Sequence, residues 1–161
     1  MTLNLQSLVT WGLFATGMLT LISSGAQQLG ISRMSLPLLL GTMFTPRRRR
    51  ALLLGFAMHF AMGCLFALLY ALVFEGWQRA SWWLGGALGL FHGLFLLIVG
   101  IGLLPSIHPR MSGKHHGPTP TRLLEPPGLL ALHYGAMTPL VTLVAHVVYG
   151  VILGGGYELA P

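Results

Sequence analysis

Residues 51–74 read ALLLGFAMHFAMGCLFALLYALVF and residues 82–104 read WWLGGALGLFHGLFLLIVGIGLL, and neither run contains Asp, Glu, Lys or Arg. An α-helix needs about 20 predominantly apolar residues to cross a hydrocarbon layer about 30 Å thick, so each run predicts a spanning helix. Working outward, two further stretches qualify by length and lack of charge: about Leu8 to Leu29 and about Pro139 to Tyr157. The first of these is interrupted by Thr16, Thr20, Ser23, Ser24, Gln27 and Gln28, so its far end is expected to be buried against protein or to reach the interface. Met34 to Phe44 and Gly128 to Met137 are apolar but too short to cross, and they predict interfacial or re-entrant pieces just before helices two and four. The expected fold is an all-α integral membrane four-helix bundle, one domain over residues 1–161, with long loops at 30–50 and 105–138.

Composition points the same way. Of 161 residues, 54% are hydrophobic and 7% charged, against roughly 25% charged in a soluble domain, which is too little to cover a soluble surface. The net charge of +6 and pI near 10.5 would raise nucleic-acid binding in a soluble protein, but the placement of the charges excludes that partner. Arg33 and Arg47, Arg48, Arg49 and Arg50 lie between helices one and two, Arg110, Lys114 and Arg122 between three and four, and only Arg79 between two and three. This asymmetry of eight to one puts both long loops in the cytoplasm and both termini outside, in the periplasm or its equivalent. Trp77, Trp82 and Trp83 flank the short outer loop and Trp11 stands at the outer end of helix one, where interfacial aromatics belong. The arginine run at 47–50 reads either as this topology signal or as a contact for anionic lipid headgroups. Met1 to Gln6 carry no Lys or Arg, so the first segment is expected to be a retained helix and not a cleaved leader. The single cysteine, Cys64, offers no disulfide and no paired-thiol motif.

The chain echoes itself. His59, Gly63 and Tyr70 in helix two match His146, Gly150 and Tyr157 in helix four at the same spacing, and Gly12-Leu13-Phe14 and Arg33-Met34 recur as Gly89-Leu90-Phe91 and Arg110-Met111. The echo predicts two parallel two-helix repeats about an axis along the membrane normal. Positions four and eleven after a histidine lie within about 40° of it on a helix, so each triplet forms one stripe. Gly55, Gly63, Gly85, Gly89, Gly93, Gly150 and Gly154 give the helices small faces on which backbones approach closely in lipid.

His59 and His146 fall at similar depths, roughly 10 to 12 Å from the cytoplasmic surface at 1.5 Å per residue, with His92 nearer the midplane. Ionisable groups at such depths are candidates for function. Paired histidines on two helices suit haem b, and either they or His92 suit a quinone; the alternative is hydrogen bonding to Thr16, Thr20, Ser23, Thr142 or Tyr149 that fixes register. With no Asp or Glu at membrane depth, neither a carboxylate-rich metal site nor a catalytic constellation is expected. His108, His115 and His116 lie in a proline-rich loop that reads as a flexible linker, with adventitious zinc or copper at the adjacent His115 and His116 as the alternative, and Glu75 and Glu158 read as solvated interfacial charges.

The segment Gly12 to Phe44, with Ala-Thr-Gly-Met-Leu-Thr leading into Leu-Gly-Ile-Ser-Arg-Met and Leu-Pro-Leu-Leu-Leu-Gly-Thr-Met, resembles an uncharacterised family of small bacterial four-helix integral membrane proteins. The His59 helix, the run from Gly89 to Ile-His-Pro-Arg-Met at 107–111 and the helix from His146 to Tyr157 share the resemblance. It implies a topology and no particular activity. Glycine-lined packing faces, the absence of catalytic groups and loops too small to form a domain make the expected function that of a non-enzymatic accessory or structural subunit, packed against other membrane subunits or copies of itself. The alternatives are a redox subunit holding haem b or quinone at His59 and His146, and a small-solute or ion pathway along a hydrated bundle axis.

Overall fold

A computed structural model describes residues 2–113 and 117–160. Its elements are α1 (Leu5–Gln28), α2 (Leu36–Thr42), α3 (Arg48–Gly76), α4 (Trp82–Phe95), a π-helical turn (Leu96–Gly100), α5 (Ile101–Ile107), a 3-10 segment (Leu129–Tyr134) and α6 (Thr138–Gly156). The described residues form no strand beyond two isolated bridges. Helix α4, the π turn and α5 run on as one span, Trp82–Ile107, so four helices are long and apolar enough to cross a membrane.

The helix ends follow local chemistry. Asn4 caps α1, its side-chain oxygen accepting from the Ser7 N–H at 3.0 Å. At the other end Gly30, at φ +72°, reverses the chain, with the Gly30 N–H on the Gln27 carbonyl and the Ile31 N–H on the Ala26 carbonyl. The same pair of bonds ends α3, where the residue at positive φ is Gln78 and the Arg79 N–H reaches the Phe74 carbonyl. Ser35 and Pro37 start α2, and Pro139 sits in the first turn of α6.

Close glycine contacts decide how the helices pack. A Cβ on Gly85, Gly89 or Gly150 would overlap a carbonyl oxygen of the facing helix in the α4–α6 pair, and one on Gly154 would overlap the Ser81 carbonyl. Gly93 faces His146, and Gly63 of α3 faces the side chain of Thr16 on α1. Gly55 takes the Pro37 carbonyl of α2, and Gly41 of α2 takes the Ala51 carbonyl of α3. Every glycine expected to line a packing face is therefore used within the chain. Helix α6 packs on α4 and α1, α1 also on α3, and α2 on α3, whereas α3 and α4 do not pack closely.

The central core joins Ala15, Leu19, Ala67, Phe74, Ala145 and Leu153 to Tyr70, Tyr149 and Tyr157. A second core at the loop end joins Leu39, Leu97, Ile101, Leu104, Met111, Ala131 and Tyr134. This corrects the reading of the 105–138 segment as a flexible linker: Met111 is 1% exposed, and the segment is tied back by the Leu124 N–H on the Arg110 carbonyl. Its Tyr134 hydroxyl donates to the Glu125 carbonyl at 2.7 Å and is pushed up to about 12, by burial first and by the Glu125 charge second, with Arg33 opposing. Lys114, His115 and His116, with the loop-metal reading attached to the two histidines, lie outside the described residues.

Candidate functional site

The three histidines of the long apolar helices meet. The His92 and His146 rings stand edge to face at 4.8 Å, and His59 and His146 line the same two small cavities. Their partners fix the tautomers of the His59 and His146 rings. The Thr20 hydroxyl donates to the Thr16 carbonyl at 2.6 Å, so toward His59 Nε2, at 3.1 Å, it acts as acceptor. His59 carries its hydrogen on Nε2 and keeps a lone pair on Nδ1. His146 Nδ1 lies 2.7 Å from the Thr142 carbonyl, which only accepts, so its lone pair is on Nε2. His92 Nδ1 lies 3.4 Å from the Tyr70 hydroxyl, and the Tyr149 hydroxyl donates to the Gly63 carbonyl at 2.6 Å. Of the hydroxyl partners expected for the histidines, Thr20 engages through its side chain and Thr142 through its backbone.

These cavities are small. One, of about 40 Å³, lies among Thr16, Gly63, His59, His92, His146 and Tyr149. The other, of about 20 Å³, is lined by Thr20, Ser23, Ser24, Gln27 and Ser35 together with His59 and His146, so the polar end of α1 lies along a crevice that leads to the histidines. Cofactor pockets run from about 300 Å³ upward. The two cavities that His59 and His146 line are far smaller than that. The axis is filled beyond Tyr149 by Phe74 and Leu153, both no more than 2% exposed.

A larger space lies on the other side of His92. Because α3 and α4 do not pack closely, a groove of about 260 Å³ opens between them, walled by aromatic and aliphatic side chains with Tyr70 and His92 at its base. His92 and Phe66, whose rings lie 4.0 Å apart, line both this groove and the histidine cavity.

Two polar sites were not anticipated. Glu75, read as a solvated charge, is 4% exposed; its Oε1 accepts from the Tyr157 hydroxyl and the Ala160 N–H, each at 2.8 Å. Tyr157 in turn accepts from the Asn4 N–H at 3.2 Å, so the knot ties both ends of the described chain to α3. Burial, with the Glu75 hydrogen bond adding, raises the Tyr157 phenol. At the opposite end His108 is 3% exposed and sits between α2 and Arg110, whose guanidinium reaches the Thr42 and Met43 carbonyls at 2.5 and 3.1 Å. Arg47, Arg48, Arg49 and Arg50 are exposed, whereas Arg33 donates to the His133 carbonyl and lies 3.4 Å from Glu125.

No protein-family model, curated protein or solved structure matches the chain.

Proposed function

We propose that the chain is a non-enzymatic accessory or structural subunit of a larger membrane assembly, joined to other membrane subunits or to copies of itself. The observation that carries this reading is the open face of α3. At 29 residues α3 is the longest span, yet its most apolar window is only 17% buried, against 39% for α6. Leu54, Ala57, Ala61 and Leu65 share one exposed face. The two alanines give it the small-residue spacing on which a second helix backbone approaches closely.

In this reading the halves of the chain are parallel repeats, each a spanning helix, a short apolar piece and a second spanning helix. The close contacts of Gly63 with α1 and of Gly150 with α4, each within its own half, support it. The membrane is the bacterial inner membrane, both termini are periplasmic, and Arg47 to Arg50 face anionic headgroups of the cytoplasmic leaflet.

Native mass spectrometry of the protein released from its own membrane in polymer-bounded lipid discs tests the proposal. Masses containing a second copy or another membrane subunit are expected, and Ala61→Trp is expected to disperse them while leaving the thermal midpoint unchanged. A wild-type chain found alone in its discs would overturn the reading.

A further inference from the structure

The histidine cluster presents acceptors that nothing in the chain answers. His59 Nδ1 and His146 Nε2 each keep a lone pair, with no donor on either among the described residues. The Thr16 hydroxyl gives its hydrogen to the Gly12 carbonyl at 2.7 Å, as Tyr149 does to the Gly63 carbonyl, so both oxygens have only lone pairs left to offer. The two free ring nitrogens are not sealed in protein. Ser81 Oγ is the one fully enclosed side-chain polar atom without a partner among the described residues, so His59 Nδ1 and His146 Nε2 border open space. His59 and His146 line two cavities, which adjoin because Leu19, Leu36 and Leu96 also line both. From the histidines the second cavity runs along Thr20, Ser23, Ser24 and Gln27, the polar end of α1, to Ser35.

We propose that water is the ligand of this cluster, donating to His59 Nδ1 and His146 Nε2 and following the polar end of α1 out to the loop end of the bundle. At about 10 to 15 Å³ of such space for each molecule, cavities of about 40 and 20 Å³ take about three waters and about one. A buried water is held by two to four polar partners, and the ring nitrogens with Thr16 and Tyr149 supply them. Water also suits His92, whichever way its bond to Tyr70 runs. It accepts from His92 Nε2–H if the Tyr70 hydroxyl donates to Nδ1, and donates to Nε2 if Nδ1 carries the hydrogen. Other occupants leave something unmatched. An acyl chain would strand the lone pairs, which is costly in an apolar setting. A cation would meet no carboxylate, since Glu75 lies at the far end with Tyr157 and Glu125 lies beside Arg33. No group of three His, Cys, Asp or Glu among the described residues is arranged to hold a metal ion. The histidines thus exchange their ring hydrogens with water from the loop end, whichever subunits the chain meets.

The test uses the full-length protein, uniformly labelled with nitrogen-15, in liposomes of phosphatidylethanolamine and phosphatidylglycerol. In solid-state NMR, magnetisation that starts on water should reach the His59 and His146 ring nitrogens about as fast as it reaches Ser24, and several-fold faster than it reaches Phe74 in the central core. The same spectra should show the ring hydrogen on Nε2 of His59 and on Nδ1 of His146. Ser24→Leu, which puts apolar bulk into the crevice without touching the histidine hydrogen bonds, should slow the transfer to both rings several-fold. A crystal structure grown from lipid mesophase, at a resolution that orders water, should show density about 2.7 to 3.2 Å from His59 Nδ1 and His146 Nε2, with no anomalous signal at the zinc or copper edge. Size-exclusion profile and thermal midpoint establish that Ser24→Leu folds, and if it does not, the wild-type transfer rates and the density decide. Ring nitrogens reached no faster than Phe74, transfer indifferent to Ser24→Leu in a folded variant, or an anomalous peak at the cluster would each overturn the proposal.

Discussion

His108 takes hydrogen bonds of opposite sense on its two ring nitrogens. Its Nε2 lies 3.0 Å from the Leu39 carbonyl and must donate, whereas its Nδ1 accepts from the Arg110 N–H at 3.1 Å. The neutral ring satisfies both partners, and a second ring hydrogen would point at the Arg110 N–H. Burial lowers the His108 pKa, the Leu39 hydrogen bond opposes that shift, and the Arg110 charge adds to it. The unfolded chain therefore takes up a proton near the ordinary value of 6.5, before the folded chain does. The stability linked to this residue is complete above that value and is lost as pH falls below it. Across a thermal unfolding series from pH 8 to pH 5, His108→Gln should lose less stability on acidification than the wild type, whatever the other histidines contribute. Equal acid slopes for the two proteins would show that His108 is not held neutral. Residues of this kind escape a reading of the chain alone. His108 meets Leu39 across 69 positions, and Glu75 is buried because Tyr157 and Ala160 come to it from the other end of the chain.

At the scale of elements, the spanning helices were legible because lipid leaves few options: a long apolar run must satisfy its backbone internally, and a helix does so. Each expected span is found, with α3 beginning three residues early so that Arg48 to Arg50 form its first turn. The glycine spacings were legible too, but which helix each would face was not. Gly85, Gly89 and Gly150 give α4 and α6 a near-backbone contact, whereas Gly55 receives a short piece, α2. The groove between α3 and α4 is a consequence, since α4 is drawn to α6 and α1 fills the space beside α3. This difference between glycines is measurable. Gly85→Val places bulk against the Gly150 carbonyl and should cost about 1 to 3 kcal/mol as overpacking, or more if α4 detaches. Gly17→Ala, where nothing lies within 4 Å of the added carbon, should instead stabilise α1 by up to about 1 kcal/mol. Unfolding titrations in mixed micelles compare the two, and a similar loss from both would mean that α4 and α6 do not meet as described.

For the whole molecule, the structure separates basic residues that sit in the fold from those that do not. Arg110 is anchored on the Thr42 and Met43 carbonyls, and Arg33 on the His133 carbonyl beside Glu125. Arg47 to Arg50 are exposed, with no such partner among the described residues. They begin α3, although cations at a helix N-terminus oppose the helix dipole, so their position does nothing for the helix itself. In the proposed orientation an electrostatic role outside the fold accounts for them: at roughly 1 kcal/mol for each basic residue near an anionic leaflet, four together would contribute about 4 kcal/mol to holding this end of the bundle at a cytoplasmic face. Replacing all four by Gln leaves Arg33, Arg110, Lys114 and Arg122 against Arg79 and should produce a mixture of orientations. A cysteine placed at Gln78, in a Cys64→Ser background, reports the outcome: an impermeant thiol reagent applied from outside should label it fully with the arginines present and partly without them. Full labelling of both proteins would move the orientation signal to the remaining basic residues and remove the lipid-facing role assigned to the run.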